Sequence, residues 1–176
     1  MFIIVFMKES EKDYRIWESK NFIVESTVNS SLWDEILISD FYKKLNTVLN
    51  EIYEQLGLDY DSSKTLISIS FSDDKKIMEL NNFFRKKNSA TNVLSFPSNN
   101  KFKKTLFLGD IIFSIETILR EAKVDNKTVE NHLTHLFIHA VLHLLGYDHE
   151  KAEDAKKMEY LEIQILSKLK IDNPYN

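Results

Sequence analysis

The chain contains no cysteine. That excludes a disulfide framework, a thiol nucleophile, an iron–sulfur cluster and a cysteine-ligated zinc ribbon. It also suits a reducing compartment, and a cytoplasmic location is the expectation. Glycine, at 3 residues, and proline, at 2, are almost as scarce. Neither GxGxxG nor a P-loop can be written with Gly57, Gly109 and Gly146, so the glycine-rich phosphate cradles are excluded. No apolar run approaches the roughly 20 residues that cross a bilayer. The longest, FIIVFM at residues 2–7, lacks the basic flank and small-residue cleavage site of a secretory signal, and no membrane partner is expected. Arginine is limited to Arg15, Arg85 and Arg120, against 20 lysines.

What is present is an ordinary globular composition: 176 residues, 43% hydrophobic and 28% charged. One domain is the default at that length. The net charge of −4 argues against a broadly basic nucleic-acid binder. Local charge differs. Residues 75–104 carry Lys75, Lys76, Arg85, Lys86, Lys87, Lys101, Lys103 and Lys104 against one carboxylate, Glu79. Such a stretch is either a solvated face or a track for a polyanion.

Residues 1–21 read as an extension or an irregular lead-in, and residues 22–176 as the domain. FIV at 22–24 looks like the first strand. A helix starts at Ser39 or Asp40 and ends before Gly57, with Phe41, Leu45, Val48, Leu49 and Ile52 on its apolar face. LISISF at 66–71 alternates as a half-buried strand. Ser72 or Asp73 caps a helix with Ile77, Leu80 and Phe84 on one face. Residues 93–96 form a short strand stopped by Pro97, which fits an edge position or a turn. Residues 106–115 form a strand broken at Gly109–Asp110, the mark of a bulge or close approach. Helices follow at 114–122, 128–145 and 150–170. The pattern predicts an α+β fold: a single domain with a small mixed β-sheet covered by helices.

All five histidines, 132, 135, 139, 143 and 149, fall within eighteen residues. On a helix the first four share one stripe about 80° wide. His139 and His143 are i, i+4, so both imidazoles can reach one ion. Gly146 ends the helix, and His149 can fold back over that end. Three imidazoles leave a fourth coordination position open, as catalytic sites do. Zinc fits such nitrogen ligands best, and nickel or cobalt also fit. The metal site is thus expected on a C-terminal helix and the following loop. Ala140 follows His139 where HExxH proteases carry their glutamate base, which argues against a peptidase. His135 and Asp148 are candidates to line the pocket or to orient a ligand ring.

HAVLHLLGYDH, at residues 139–149, closely resembles the signature H-G-x-L-H-L-x-G-Y-D-H of the YbeY endoribonucleases, also called rRNA maturation factors. LNNFFRKKNSATNVLSFP at 80–97 resembles that family's L-N-x-x-x-R-x-K-x-x-x-T-[DN]-V-L-S-F-P, and LGDII at 108–112 its L-G-D-I segment. The stretches occur in the family's order, and Ala140 replaces the usual glycine. The resemblance implies a zinc-dependent, single-strand-directed endoribonuclease acting in ribosomal RNA maturation, at the 16S rRNA 3′ end, and in ribosome quality control. It implies His139, His143 and His149 as metal ligands and Arg85 as the functional arginine. Single-stranded RNA, ribosomal RNA and the small ribosomal subunit are the implied partners, with no DNA expected.

The residues read by themselves agree in part. A guanidinium matches phosphate bidentately where an ammonium cannot, which favours Arg85 in the basic segment. Lys86, Lys87, Lys101, Lys103 and Lys104 would track the RNA backbone. For Phe83, Phe84, Phe96 and Phe102, interleaved with them, core packing is the first expectation and base stacking the alternative. No general base is assigned. Two other readings stand beside the nuclease: an assembly factor with a structural metal, and a metal-dependent hydrolase of another substrate class.

Overall fold

Three strands open the chain in antiparallel succession: β1 (Ile3–Glu9), β2 (Lys12–Glu18) and β3 (Phe22–Val28). The computed structural model describes residues 3–9, 12–59, 64–98, 101–102 and 105–175. Residues 12–18 are therefore not the irregular lead-in that their polarity suggests. Burial, not polarity, alternates there: Arg15 and Trp17 are buried, and Tyr14, Ile16 and Glu18 are partly exposed. Trp17, 1% exposed, lies in the main core, and Arg15 is buried with its guanidinium on Asp13 and, at 2.7 Å, on Glu35. The charged residues that hide the strand from a hydrophobicity reading are partly paired with one another.

Asp34, well before the expected Ser39, caps helix α1 (Glu35–Gln55) by accepting the backbone N–H groups of Ile36 and Leu37. Trp33 precedes the cap and is anchored through its indole N–H to the Ser72 carbonyl at 2.8 Å, which moves the helix start forward. The helix ends as predicted. Gly57 adopts φ +61°, its N–H donates to the Glu54 carbonyl, and Leu58 N–H reaches Tyr53. Strand β4 (Lys64–Ser72) buries Ile67, Ile69 and Phe71 on its inner face. Helix α2 (Asp74–Arg85) is capped by Asp73, and β5 (Val93–Pro97) and β6 (Lys101–Phe102) follow. Then come β7 (Thr105–Ser114), α3 (Ile115–Val124), α4 (Val129–Leu144) and α5 (Ala152–Lys168).

The strands form one mixed sheet in the order β1-β2-β3-β4-β7-β5, with β6 paired to β7. Strands β3, β4 and β7 run parallel; β5 is antiparallel to β7 and closes the edge where Pro97 was expected. Helices α1 and α4 cover the inner face through Phe41, whose ring meets Phe71, Phe113 and Phe137. Helix α2 reaches the other face of β5, where Phe84 packs on Phe96. The N-terminal turn of α2 is tied down at Asp74, which accepts from Ser114 and Thr117 and pairs with Arg120 at 3.5 Å. Those bonds outweigh partial burial and hold the Asp74 carboxyl below its usual range.

Gly109 marks the register shift between β4 and β7. It sits at φ +145°, and a Cβ there would lie 2.2 Å from the Phe96 carbonyl oxygen and 2.9 Å from Leu144. The missing side chain lets β5 and the end of α4 close on one point of the sheet. That closure brings the histidine end of α4 beside the edge strand.

The buried indole makes residues 12–18 part of the folding unit. Trp17→Ala is expected to cost about 3–5 kcal/mol in urea unfolding, the usual cost of emptying a large aromatic site. A loss below about 1 kcal/mol would show the strand to be an appendage.

Candidate metal centre and its cleft

Helix α4 starts at Thr128, whose side chain accepts the Asn131 N–H, and buries most of its circumference. Its histidines form the one polar stripe. Along that stripe the rings have different partners. His132 Nε2 meets Glu121 of α3 at 2.8 Å, and Glu121 also accepts from Asn92. His135 Nε2 meets Glu162 of α5 at 2.8 Å. His139 reaches the other oxygen of Glu162 with Nδ1, at 2.8 Å, and His143 reaches the Tyr147 carbonyl with Nδ1, at 2.9 Å.

These acceptors settle the tautomers. A carboxylate and a carbonyl only accept, so both Nδ1 atoms carry hydrogen and both Nε2 atoms present lone pairs. The two Nε2 atoms nevertheless face each other at 3.1 Å. Two bare lone pairs at that distance require a shared positive centre. A proton is disfavoured, because burial and the neighbouring His139 push the His143 imidazole below its usual pKa. A metal ion meets the requirement: two nitrogens bound tetrahedrally at 2.0–2.1 Å lie about 3.3 Å apart.

The third ring arrives through the helix end. Gly146, at φ +93°, donates its N–H to the His143 carbonyl, and the Tyr147 N–H reaches back to Leu142. The chain reverses, and Asp148 accepts the His149 backbone N–H at 2.7 Å. The rings of His139 and His149 then stack at 5.3 Å, and one ligand atom from each of His139, His143 and His149 lies within 4.8 Å of the others. Asp148 thus shapes the turn, while the ring N–H acceptors are Glu162 and the Tyr147 carbonyl.

Glu162 is fully buried, and sequence reasoning did not single it out. Burial alone would raise its carboxyl. Hydrogen bonds from His135, His139 and the Tyr175 hydroxyl outweigh that and hold it at about 2. The signal was present: Glu162 interrupts the apolar stripe of α5 formed by Met158, Leu161, Ile165 and Leu166. A carboxylate at a core position needs a partner, and the histidine stripe supplies it.

His139, His143 and His149 open onto a cleft of about 770 Å³ that Arg85, Lys87, Asn92, Ser95 and Pro97 also line. Arg15 and Arg120 hold structural carboxylates; among the described residues Arg85 forms no ion pair and stands exposed at the last position of α2. The basic segment is not one track. Lys75 and Lys76 line a different hollow beside Ser70 and Leu80. Lys86, in the left-handed conformation at φ +58°, lies over the Phe83 ring. Lys101 is in β6, and Lys103 and Lys104 fall outside the described residues. Core packing fails for Phe83 and Phe84, which are exposed; Phe96 is partly buried. The Phe102 side chain also falls outside the described residues.

Fold and cleft together define a class: an α+β protein with a three-histidine, metal-competent centre beside an uncommitted arginine. The family model described as Endoribonuclease YbeY matches residues 28–170. Endoribonuclease YbeY of Bartonella quintana is 41% identical over 157 residues, covering 86% of this chain and 96% of that protein. That of Ehrlichia canis is 46% identical over 112 residues, covering 64% and 72%. The solution structure of TM1509 from Thermotoga maritima aligns with 87% of this chain and 95% of that one, at 22% identity and a TM-score of 0.48. The chain belongs to the YbeY endoribonuclease family.

Two outcomes are expected from Glu162→Gln. Zinc affinity, measured by chelator competition, should fall 10- to 100-fold, as when a ligand histidine loses its carboxylate partner; His143→Ala should abolish stoichiometric metal. In metal-free protein the acid limb should also change. A carboxyl held at about 2 against an ordinary 4.5 stabilises the fold above pH 4.5, and that stability drains away as the pH falls towards 2. The glutamine variant lacks this contribution at every pH, so its denaturation midpoint should fall less steeply between pH 4.5 and 2. Parallel limbs would remove Glu162 from the network.

Proposed function

We propose that this chain is a zinc-dependent, single-strand-specific endoribonuclease acting in ribosomal RNA maturation, at the 3′ end of 16S rRNA, and in ribosome quality control. The observation that carries this reading is that Arg85 and the three histidines line one cleft. Family membership supports the reaction class. Among the described residues no helix is long and apolar enough to cross a membrane, and the cytoplasm is the proposed compartment. Single-stranded ribosomal RNA and the small ribosomal subunit are the proposed partners.

His139, His143 and His149 would hold the ion, with Glu162 and the Tyr147 carbonyl keeping two of the rings in the ligating tautomer. When bound, such an ion supplies Lewis-acid polarisation of a phosphoryl oxygen and acidifies water at neutral pH. The protein's own part is positioning and charge. Arg85 offers two parallel N–H groups to the non-bridging oxygens, where negative charge grows in the transition state. Lys87 adds a point charge for the adjoining backbone. Attack by water leaves a linear phosphate and attack by the 2′-hydroxyl a cyclic one, so end analysis of the products identifies the nucleophile.

With rigorously nuclease-free protein, Arg85→Ala should lower turnover of single-stranded RNA by roughly a hundredfold to a thousandfold, while melting temperature and metal content stay at wild type. Arg85→Lys should recover only part, since it keeps the charge and loses the fork. Lys87→Ala should weaken binding across sequences and flatten its salt dependence by about one phosphate contact. Wild-type protein that binds the metal and turns over no RNA would leave an assembly factor with a structural metal.

A further inference from the structure

Helix α2 ends with two aromatic rings in solvent. Phe83 is 69% and Phe84 57% exposed. Burying a phenylalanine gains roughly 1.5–3 kcal/mol, so leaving two neighbours out forgoes a substantial stabilisation. Scattered apolar residues on a surface are ordinary; a contiguous exposed pair marks a contact site.

We infer that Phe83 and Phe84 form a stacking platform for an unpaired base of the RNA, next to the nucleotide whose phosphate meets Arg85. The inference rests on the nuclease reading and adds a base-binding subsite to it.

Three observations carry it. The rings are held rather than loose. They meet edge to face at 4.9 Å, and Phe84 is backed at 4.8 Å by Phe96 of the edge strand β5. A buttressed ring loses little freedom when a base lands on it. The platform also adjoins the cleft. Ser95 and Pro97, on either side of Phe96, line the cleft, and Arg85, the residue after Phe84, projects into it. A strand passing over the β5 edge would meet guanidinium on one side and rings on the other.

The third observation is charge. Arg85, Lys86 and Lys87 follow the rings directly, and Lys86 Nζ sits 5.9 Å from the Phe83 centroid. Between Glu79 and Asp110 the sequence has no carboxylate. The core of a protein-docking surface is depleted in charge. Rings set among cations, with no acid beside them in sequence, match what a single-stranded nucleic acid offers: flat bases joined by phosphates.

The test is a binding cycle on the full chain, with metal chelated so that no cleavage intervenes. Affinity is read by anisotropy for a single-stranded RNA and for a set of oligonucleotides with one abasic site at each successive position. Phe83→Ala should bind intact RNA roughly 5- to 100-fold more weakly than wild type, with unchanged melting. Phe83→Leu should not restore affinity, because it keeps apolar area and loses the ring. One abasic position should cost wild type a similar factor and cost Phe83→Ala nothing further. Equal affinity of Phe83→Ala and wild type for intact RNA overturns the platform, as does an abasic penalty identical in both proteins at every position. If Phe83→Ala keeps RNA affinity and loses only binding to isolated ribosomal proteins, the patch is a protein dock and the inference falls. Wild type that binds no single-stranded RNA overturns the nuclease reading itself, a result distinct from one in which wild type binds and the aromatic arms show no effect.

Discussion

One buried carboxylate organises the functional half of this protein. Glu162 lies where water cannot solvate it, so its charge must be matched by donors. It takes them from His135, His139 and Tyr175. These partners join α5 to α4 and to the C-terminal residues, and Lys127 holds the Pro174 carbonyl at 2.9 Å beside them. Helix packing and ligand orientation thus rest on the same contact. Removing the carboxylate would leave two imidazoles without acceptors and His139 free to choose the wrong tautomer.

The consequence is a site poised for a cation. With both Nδ1 hydrogens engaged, two Nε2 lone pairs are held face to face at a distance that only a shared positive charge makes favourable. A metal ion would join the two lone pairs through one positive centre, so folding and metal binding are thermodynamically linked. The third ring sits on a loop, but its approach is set by the left-handed Gly146 and by the Asp148 turn, both local to the sequence.

The anion side of the cleft comes from elsewhere. Arg85 is carried by α2, whose first turn is bound to β7 and α3 through Asp74. The two sides meet because β7 bulges at Gly109, where the backbone of β5 and Leu144 of α4 come closer than any side chain would allow. Of three arginines, Arg15 and Arg120 pair with carboxylates, and Arg85, without an ion pair among the described residues, stands at the cleft. Two neighbouring phenylalanines remain in solvent at the end of the same helix, a departure from core patterning.

Much of this was legible in the residues. Helix starts and stops with a local chemical cause, such as Asp73, Gly57 and Gly146, were found by reading a few neighbours. So was the i, i+4 pair with His149 beyond the turn, because metal-ligand spacing on a helix is a one-dimensional property. Features decided by distant parts of the chain were not. The Trp17 strand was hidden because its charges find partners across the sheet and on α1. Asp34 displaced Ser39 as the cap because Trp33 is anchored to β4. Glu162 became the partner of the metal-side histidines only when α5 packed on α4, and the basic segment divided because the two ends of α2 line different hollows. By itself the sequence determined which groups could bind a cation and a phosphate. The tertiary structure decided which rings keep their lone pairs, which arginine stays uncommitted and which aromatics remain outside, because burial and pairing depend on neighbours that chain order does not supply.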